Sequence, residues 1–139
     1  MTPASGSTHN KPEPVQAEVN QLLIPTATTG ERVRGLLALG LHPQEISTAL
    51  GGTSASTMRN WVAGASEARA DAAIALDDLR ATAKALLDAG LEPKRVAHWL
   101  RSRNERVRGE RPIDVLPSNP ASVLSAAFEL ILEDPAVVL

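Results

Sequence analysis

Segments 36–50 and 86–100 follow one pattern, and this repeat constrains the fold more than any other feature of the chain. "LLALGLHPQEISTAL" aligns without gaps on "LLDAGLEPKRVAHWL", with leucines, a glycine and a proline at equivalent positions. Glycine commonly ends a helix and proline is favoured in a first helical turn, so each segment predicts two helices joined by a corner. The simplest interpretation is one local solution used twice. An ancient duplication is an alternative, and a second DNA-reading unit is disfavoured because no recognition-helix pattern follows Leu100.

The composition favours helices throughout. Apolar residues make up 43% of the chain and are mainly Ala, Leu and Val, whereas aromatic residues make up 2%. Because β-rich folds depend on aromatic and β-branched residues, we expect an all-α fold. The 139 residues are enough for one compact domain or two very small ones. The apolar runs are short and interrupted by charge, and the N-terminus lacks the pattern of a signal peptide, so a cytoplasmic protein without membrane contact is predicted.

Apolar spacing and helix-stop residues predict the individual elements. Residues 1–20, rich in Pro, Ser and Thr, are assigned to a disordered N-terminal segment, although apolar spacing over 15–24 also permits a short helix. A loop with a short turn is expected over 109–120. Further helices are predicted over 31–40, 43–50, 54–64, 66–90, 92–103 and 119–133.

Residues 41–64 predict a helix-turn-helix, within a DNA-binding domain over 21–66. In such a motif the second helix enters the major groove with its first turn foremost. Arg59 could bind guanine and Asn60 adenine, whereas Ser54 and Thr57 suit capping or phosphate contact. With few basic residues nearby, one copy should bind weakly, so a dimer or larger assembly is expected. An ordinary helical corner with a polar outer face is the alternative. The candidate DNA-binding residues are Ser54, Ser56, Thr57, Arg59 and Asn60.

The long helix predicted over 66–90 carries an apolar seam that runs from Ala72 to Leu86 through positions four and three apart. This seam could form a homodimer interface or could equally serve the internal core. Asp77 and Asp78 on the same helix are expected to lie on a solvated face.

A basic stretch follows in a chain whose formal net charge is −2. Between Glu92 and Arg111 there are seven basic and three acidic residues, and five arginines lie in 98–116. The run could bind nucleic acid, line a protein interface or form a solvated helix face. The overall charge argues against a global basic field that would draw the chain onto DNA.

Within this stretch, several uncommon residue types recur at fixed spacing. They are Trp99-Leu100, Asn104, Val107, Gly109, Arg111-Pro112, Asp114 and Leu116. The chain resembles antitoxins of the Xre/MbcA/ParS type, the partners of RES-domain toxins, from about residue 31 onward. It departs from that family in two places: the loop "LPSNPAS" lacks the usual glycine, and Val107 stands where leucine is common.

The resemblance implies an antitoxin that neutralises a toxin acting on the ADP-ribose of NAD by covering its active-site cleft. It places toxin binding in a helical domain over 67–139, mainly in helix 119–133 and the segment that follows. The apolar "AVVL" supports this independently, because an exposed apolar segment is unfavourable unless it packs on its own core or on a partner. The candidate toxin-binding residues are Arg111, Phe128, Ile131, Asp134, Val137, Val138 and Leu139.

The expected partners are therefore a RES-domain toxin, operator DNA and a second copy of the chain in a homodimer. No cofactor, metal site or enzymatic activity is predicted, because the histidines are scattered, cysteine is absent and no acid/base pair can be named. Two other functions fit the sequence: a phage- or plasmid-type transcriptional repressor without a toxin partner, and an adaptor whose helix-turn-helix binds only protein.

Overall fold

A computed structural model describes residues 14–133, and this part of the chain is helical without any β-strand, as the composition predicts. No helix within these residues is long and apolar enough to cross a membrane. A 3-10 helix spans Glu105–Val107. The α-helices are α1 (Pro14–Leu22), α2 (Thr29–Leu39), α3 (Pro43–Ala49), α4 (Ala55–Val62), α5 (Ala70–Asp88), α6 (Pro93–Arg101), α7 (Pro112–Val115) and α8 (Pro120–Glu133).

Helix α1 corrects the expected N-terminal boundary of the fold. Residues 14–20 are helical, although they were assigned to the disordered segment 1–20, and residues 1–13 lie outside the described residues. The helix forms because Val19 and the following Leu23 are fully buried. Gly35 of α2 permits this packing, since a Cβ atom there would lie 2.8 Å from Cδ2 of Leu23.

The two repeated corners have the same geometry. Gly40 has a φ angle of 122° and Gly90 one of 112°, conformations that L side chains rarely adopt. In both corners the leucine after the glycine donates its backbone N–H to the leucine carbonyl five residues earlier, at 3.1 Å. Pro43 and Pro93 then begin the next helix. The predicted corners are confirmed, and the local sequence explains them because glycine and proline occupy the positions that require them.

One hydrophobic cluster extends from Val19 to Ala127 and includes residues of both predicted domains. The seam on α5 belongs to it: Leu76, Leu79 and Leu86 are at most 1% exposed. The α5 seam was expected to form either a homodimer interface or part of the internal core, and in the structure it is part of the core. A homodimer would have to use another surface.

An ion pair joins α6 to α3. Arg101 donates from Nε to Oε2 of Glu45 at 2.9 Å and from Nη2 to Oε1 at 3.0 Å. The same Nη2 donates to the Gly40 carbonyl at 2.6 Å, at the end of α2. Glu45 Oε1 also accepts the backbone N–H of His42 at 2.8 Å, which caps the start of α3. The first repeated corner is thus held by the last residue of α6, which directly follows the second repeated segment.

Asp77 does not lie on a freely solvated face, contrary to expectation. It accepts a bond from Nε of Arg80 at 2.8 Å and pairs with Nη1 of Arg32 at 3.1 Å. Arg80 is buried and also donates to the Leu23 carbonyl at the end of α1, at 3.1 Å. Asp78 is half-buried, and its burial, together with the charge of Asp77, raises the pKa of its carboxyl.

Candidate DNA-binding and partner-binding surfaces

The turn between α3 and α4 is fixed by backbone and side-chain bonds. Ser47 Oγ donates to the Thr53 carbonyl at 2.7 Å and accepts the Thr53 N–H at 2.8 Å. Gly51 and Gly52 both have positive φ angles, and Gly52 donates its N–H to the Ser47 carbonyl at 2.8 Å. These bonds close a compact turn, so the direction in which α4 leaves α3 is determined locally.

Helix α4 begins as the sequence predicts. Ser54 Oγ accepts the Thr57 N–H at 3.0 Å and donates to Thr57 Oγ1 at 2.9 Å, so these two hydroxyls are bonded to each other. Ser54 is the N-cap, and Thr57 is half-buried. The capping role considered for this pair is observed for Ser54, whereas Thr57 supplies the capped N–H. Both hydroxyls are already hydrogen-bonded to each other before any ligand binds.

The two faces of α4 separate clearly by burial. Met58 and Trp61 are buried in the core, whereas Ser56, Arg59 and Asn60 are exposed. The exposed guanidinium and amide groups carry the hydrogen-bonding capacity that base edges require. Four of the five candidate DNA-binding residues are therefore exposed on the surface of α4 or at its N-cap, and Thr57 lies partly beneath them.

The first turn of α2 packs closely against the C-terminal part of α4 at Gly30. The sequence did not predict this contact. A Cβ atom at Gly30 would collide with the backbone carbonyl of Trp61. The sequence feature that could have indicated this contact is Gly30 itself. A helical position does not require the conformational freedom of glycine, so a glycine there suggests close packing against a neighbour. An apolar groove of about 580 Å³ also lies beside Arg59, lined by Val33, Leu37 and Met58 among others.

The central residues of the family resemblance, from Asn104 to Gly109, form one folded turn between α6 and α7. Asn104 donates its N–H to the Glu110 carbonyl at 3.0 Å, and its own carbonyl accepts the Gly109 N–H at 2.8 Å. Its Oδ1 accepts the Arg106 N–H at 2.9 Å and so caps the 3-10 helix. Gly109 has a φ angle of 77°, which favours glycine. The apolar motif positions Leu100, Val107 and Leu116 are buried. These motif residues therefore have structural roles.

Most arginines of the basic stretch bind groups of the chain itself. Arg101 binds Glu45, and Arg106 pairs with Glu133 of α8 at 2.8 Å. Arg103 donates to the Gly109 carbonyl at 3.2 Å. Arg111 donates twice to Asp114, at 2.7 and 3.0 Å, and these bonds raise the pKa of Arg111. The run is therefore neither a simple solvated face nor a continuous row of free cations.

Helix α8 places its apolar residues on two faces. Val123, Ala126 and Ala127 are buried against the core, whereas Phe128 is 48% exposed and Leu132 is 83% exposed. Ile131 is half-buried and packs against the core cluster. We call Phe128 and Leu132 the α8 apolar stripe. Arg111 is the N-cap residue directly before α7. The candidates Asp134, Val137, Val138 and Leu139 lie outside the described residues.

Comparison with other proteins identifies no relative of this chain. The chain matches no model of a known protein family, no curated protein and no solved structure.

Proposed function

We propose that this chain is an antitoxin of a type II toxin–antitoxin system. It neutralises a RES-type toxin that consumes NAD or transfers ADP-ribose, and it binds operator DNA to regulate its own expression. In this proposal residues 21–66 form a helix-turn-helix domain and residues 67–139 a helical toxin-binding domain. The α8 apolar stripe is the observation that carries it.

The stripe supports a protein partner because large apolar side chains are rarely left in water at adjacent turns of a helix. Phe128 and Leu132 are four residues apart and so lie on one side of α8. A partner groove that received this side would bury both side chains, as in other complexes where an amphipathic helix fills a groove. The stripe precedes residues 134–139, which contain four of the seven predicted toxin-binding residues, namely Asp134, Val137, Val138 and Leu139.

The DNA-binding part rests on α3, the fixed turn and α4. The turn bonds at Ser47 and the Ser54 cap hold α4 in place without using Arg59 or Asn60. Both side chains therefore remain exposed for a major-groove partner. One copy presents few cations beside them, so the proposal includes a homodimer that reads two half-sites.

Neutralisation is tested by co-expression with a RES-type toxin and by measuring binding between the two purified proteins. Phe128→Ala and Leu132→Ala should each weaken binding by about tenfold or more, because truncating a buried apolar anchor costs over about 1.4 kcal/mol. Ile74→Ala, which truncates an exposed apolar side chain on α5 away from the stripe, is the matched control. Equal toxin affinity in all three variants would contradict the proposal, provided that their thermal unfolding matches the wild type.

The DNA-binding part is tested separately by gel shift with the upstream DNA. Arg59→Ala should weaken operator binding and leave toxin neutralisation intact, whereas Arg108→Ala, also exposed, should change neither. Loss of both activities in Arg59→Ala would indicate misfolding.

A transcriptional repressor without a toxin partner is the second candidate. The α3–α4 geometry favours it equally, and the stripe would then be covered by a second copy, because the α5 seam is already used in the core. Because both candidates are proposed as dimers, the effect of Leu132→Ala separates them. In a repressor this variant should convert the dimer to monomer, as measured by light scattering, and the wild type should not bind the toxin. In an antitoxin the variant should weaken toxin binding and leave the dimer intact.

A further inference from the structure

The outward side of α6 lines a groove that is separate from both surfaces above. Its volume is about 540 Å³, within the range of small-ligand sites. The wall opposite α6 is formed by the segment around the 3-10 helix and by Leu130 of α8. We call this the α6 groove, and its main lining residues are Lys94, Arg95, His98, Trp99, Arg103 and Leu130.

Helical spacing brings cations and an aromatic ring together in this groove. Lys94 and His98 are four residues apart, as are Arg95 and Trp99, so each pair lies on one side of the helix. Lys94, Arg95 and His98 are exposed, whereas Trp99 is partly buried and packs against the core cluster. The Trp99 ring is therefore packed in place beside exposed, solvated charges.

The positive charge of this side is poorly compensated. Across residues 14–133, neither Lys94 nor Arg95 has a carboxylate within ion-pair distance, unlike Arg101, Arg106 and Arg111 of the same stretch. Glu105 is the acidic residue among those that line the groove, and Arg106 is already paired with Glu129 and Glu133. Uncompensated cations in a concave site attract anions.

We propose that the α6 groove binds a nucleotide unit. Lys94 and Arg95 hold the phosphate, and Trp99 provides a platform against which the base stacks. Phosphate alone would not require an aromatic wall, and a purely apolar ligand would not require the cations. The unit could be a free nucleotide or an unpaired nucleotide of a single strand, which share this chemistry. The proposal does not depend on toxin neutralisation or on operator binding by α4.

The experiment uses the full chain and follows Trp99 fluorescence. Trp61→Phe removes the other tryptophan and leaves Trp99 as the reporter, and calorimetry on the wild type provides a second measurement free of that substitution. The probes are adenosine 5′-monophosphate, inorganic phosphate, an oligothymidylate and a short DNA duplex. We expect saturable quenching by the mononucleotide or by the single strand.

Charge reversal identifies the site. The double variant Lys94→Glu/Arg95→Glu should lower affinity by about tenfold or more, because each cation contributes a phosphate contact. Arg34→Glu/Arg69→Glu, at exposed positions outside the groove lining and outside the 3-10 segment, makes the same change in net charge and should leave affinity within about twofold, since charges away from the site are largely screened. Trp99→Ala should reduce mononucleotide affinity to that of inorganic phosphate.

The two sources are distinguished by the ratio of affinities. Single-strand binding about tenfold tighter than mononucleotide binding identifies the strand as the ligand, and equal affinities identify the free nucleotide. The proposal is overturned by an absence of saturable binding to both probes. It is also overturned if the duplex binds as well as the single strand, because stacked bases cannot reach Trp99, or if both charge-reversal variants behave alike.

Discussion

Arg101 provides the sharpest test of how the two halves of the chain are joined. Its bonds to Glu45 and to the Gly40 carbonyl link α6 to α3 and to the end of α2. Arg101→Ala removes all of them and leaves the Glu45 carboxylate, 16% exposed, without its charged partner. We therefore expect a loss of stability, and no loss of helix propensity because alanine is the best helix former.

The size of this loss follows from the burial of the pair. Exposed ion pairs contribute about 0.2–1 kcal/mol, whereas breaking a buried pair costs about 3–5 kcal/mol. The Arg101 side chain is 30% exposed, so this pair lies between the limits. We expect Arg101→Ala to lower the free energy of unfolding by about 2 kcal/mol, which lowers Tm by about 6–10 °C in a chain of this size.

Urea unfolding of Arg101→Ala, Glu45→Ala and the double variant measures the coupling between the two side chains. Arg95→Ala is the matched control, because Arg95 is exposed on the same helix and makes no ion pair within residues 14–133. We expect a coupling of about 1 kcal/mol and near-neutral behaviour of the control. A coupling indistinguishable from zero, or equal losses for Arg101→Ala and Arg95→Ala, would refute the reasoning.

The coupling should also depend on pH in a defined direction. The bonds from Arg101 lower the pKa of Glu45 below its ordinary value of 4.5, against the opposing effect of burial. A carboxyl whose pKa is lower in the folded than in the unfolded state stabilises the fold above the unfolded value. The contribution is therefore complete above pH 4.5 and is lost as the pH falls through the folded pKa. Coupling that persisted unchanged at pH 2 would contradict this assignment.

Three further predictions concern single sites. Gly35→Ala should lower the free energy of unfolding by about 2 kcal/mol, because the new methyl group would overlap Leu23 in a packed core; an unchanged urea midpoint would show that α1 moves freely. Ser54→Ala should cost about 1 kcal/mol through loss of the α4 cap, whereas Ser56→Ala, at an exposed position in the first turn of α4, should be nearly neutral. Asp78→Asn should stabilise the chain at neutral pH, because burial raises the pKa of that carboxyl. The stability gained by Asp78→Asn should shrink as the pH falls toward 3.8, because the carboxyl of the wild type is then protonated. A stability gain that instead grew in acid would contradict this prediction.

The helices themselves could be predicted well from the sequence, because their boundary signals are local. Glycine ends α2 and α5, proline begins α3 and α6, and Ser54 caps α4. The observed bounds of α2 to α6 and of α8 lie within a few residues of the predicted ones, whereas α7 lies in the segment 109–120 that was predicted to be a loop with a short turn. The start of α1 is the exception, because the Pro-, Ser- and Thr-rich composition of residues 1–20 predicts disorder although apolar spacing over 15–24 permits a helix. The formation of α1 depends on burial of Val19 against other elements.

The candidate surfaces were predictable only in part. Periodicity within α4 is enough to separate buried Met58 and Trp61 from exposed Arg59 and Asn60, since a single helix determines both faces. The groove along α6 was not predicted, because its second wall comes from Leu130 and from the turn around Asn104, which the sequence alone does not place beside it.

The sequence by itself determined an all-helical chain, two identical corners and the orientation of α4's side chains, because each depends on residues within a turn or two. The tertiary structure decided what the conspicuous side chains do. Arg101 meets Glu45 across 56 positions in the chain, and the α5 seam is buried inside the molecule and is unavailable to a second copy. Which group a charged or apolar side chain contacts depends on which distant elements pack together. Local periodicity carries no information about that packing.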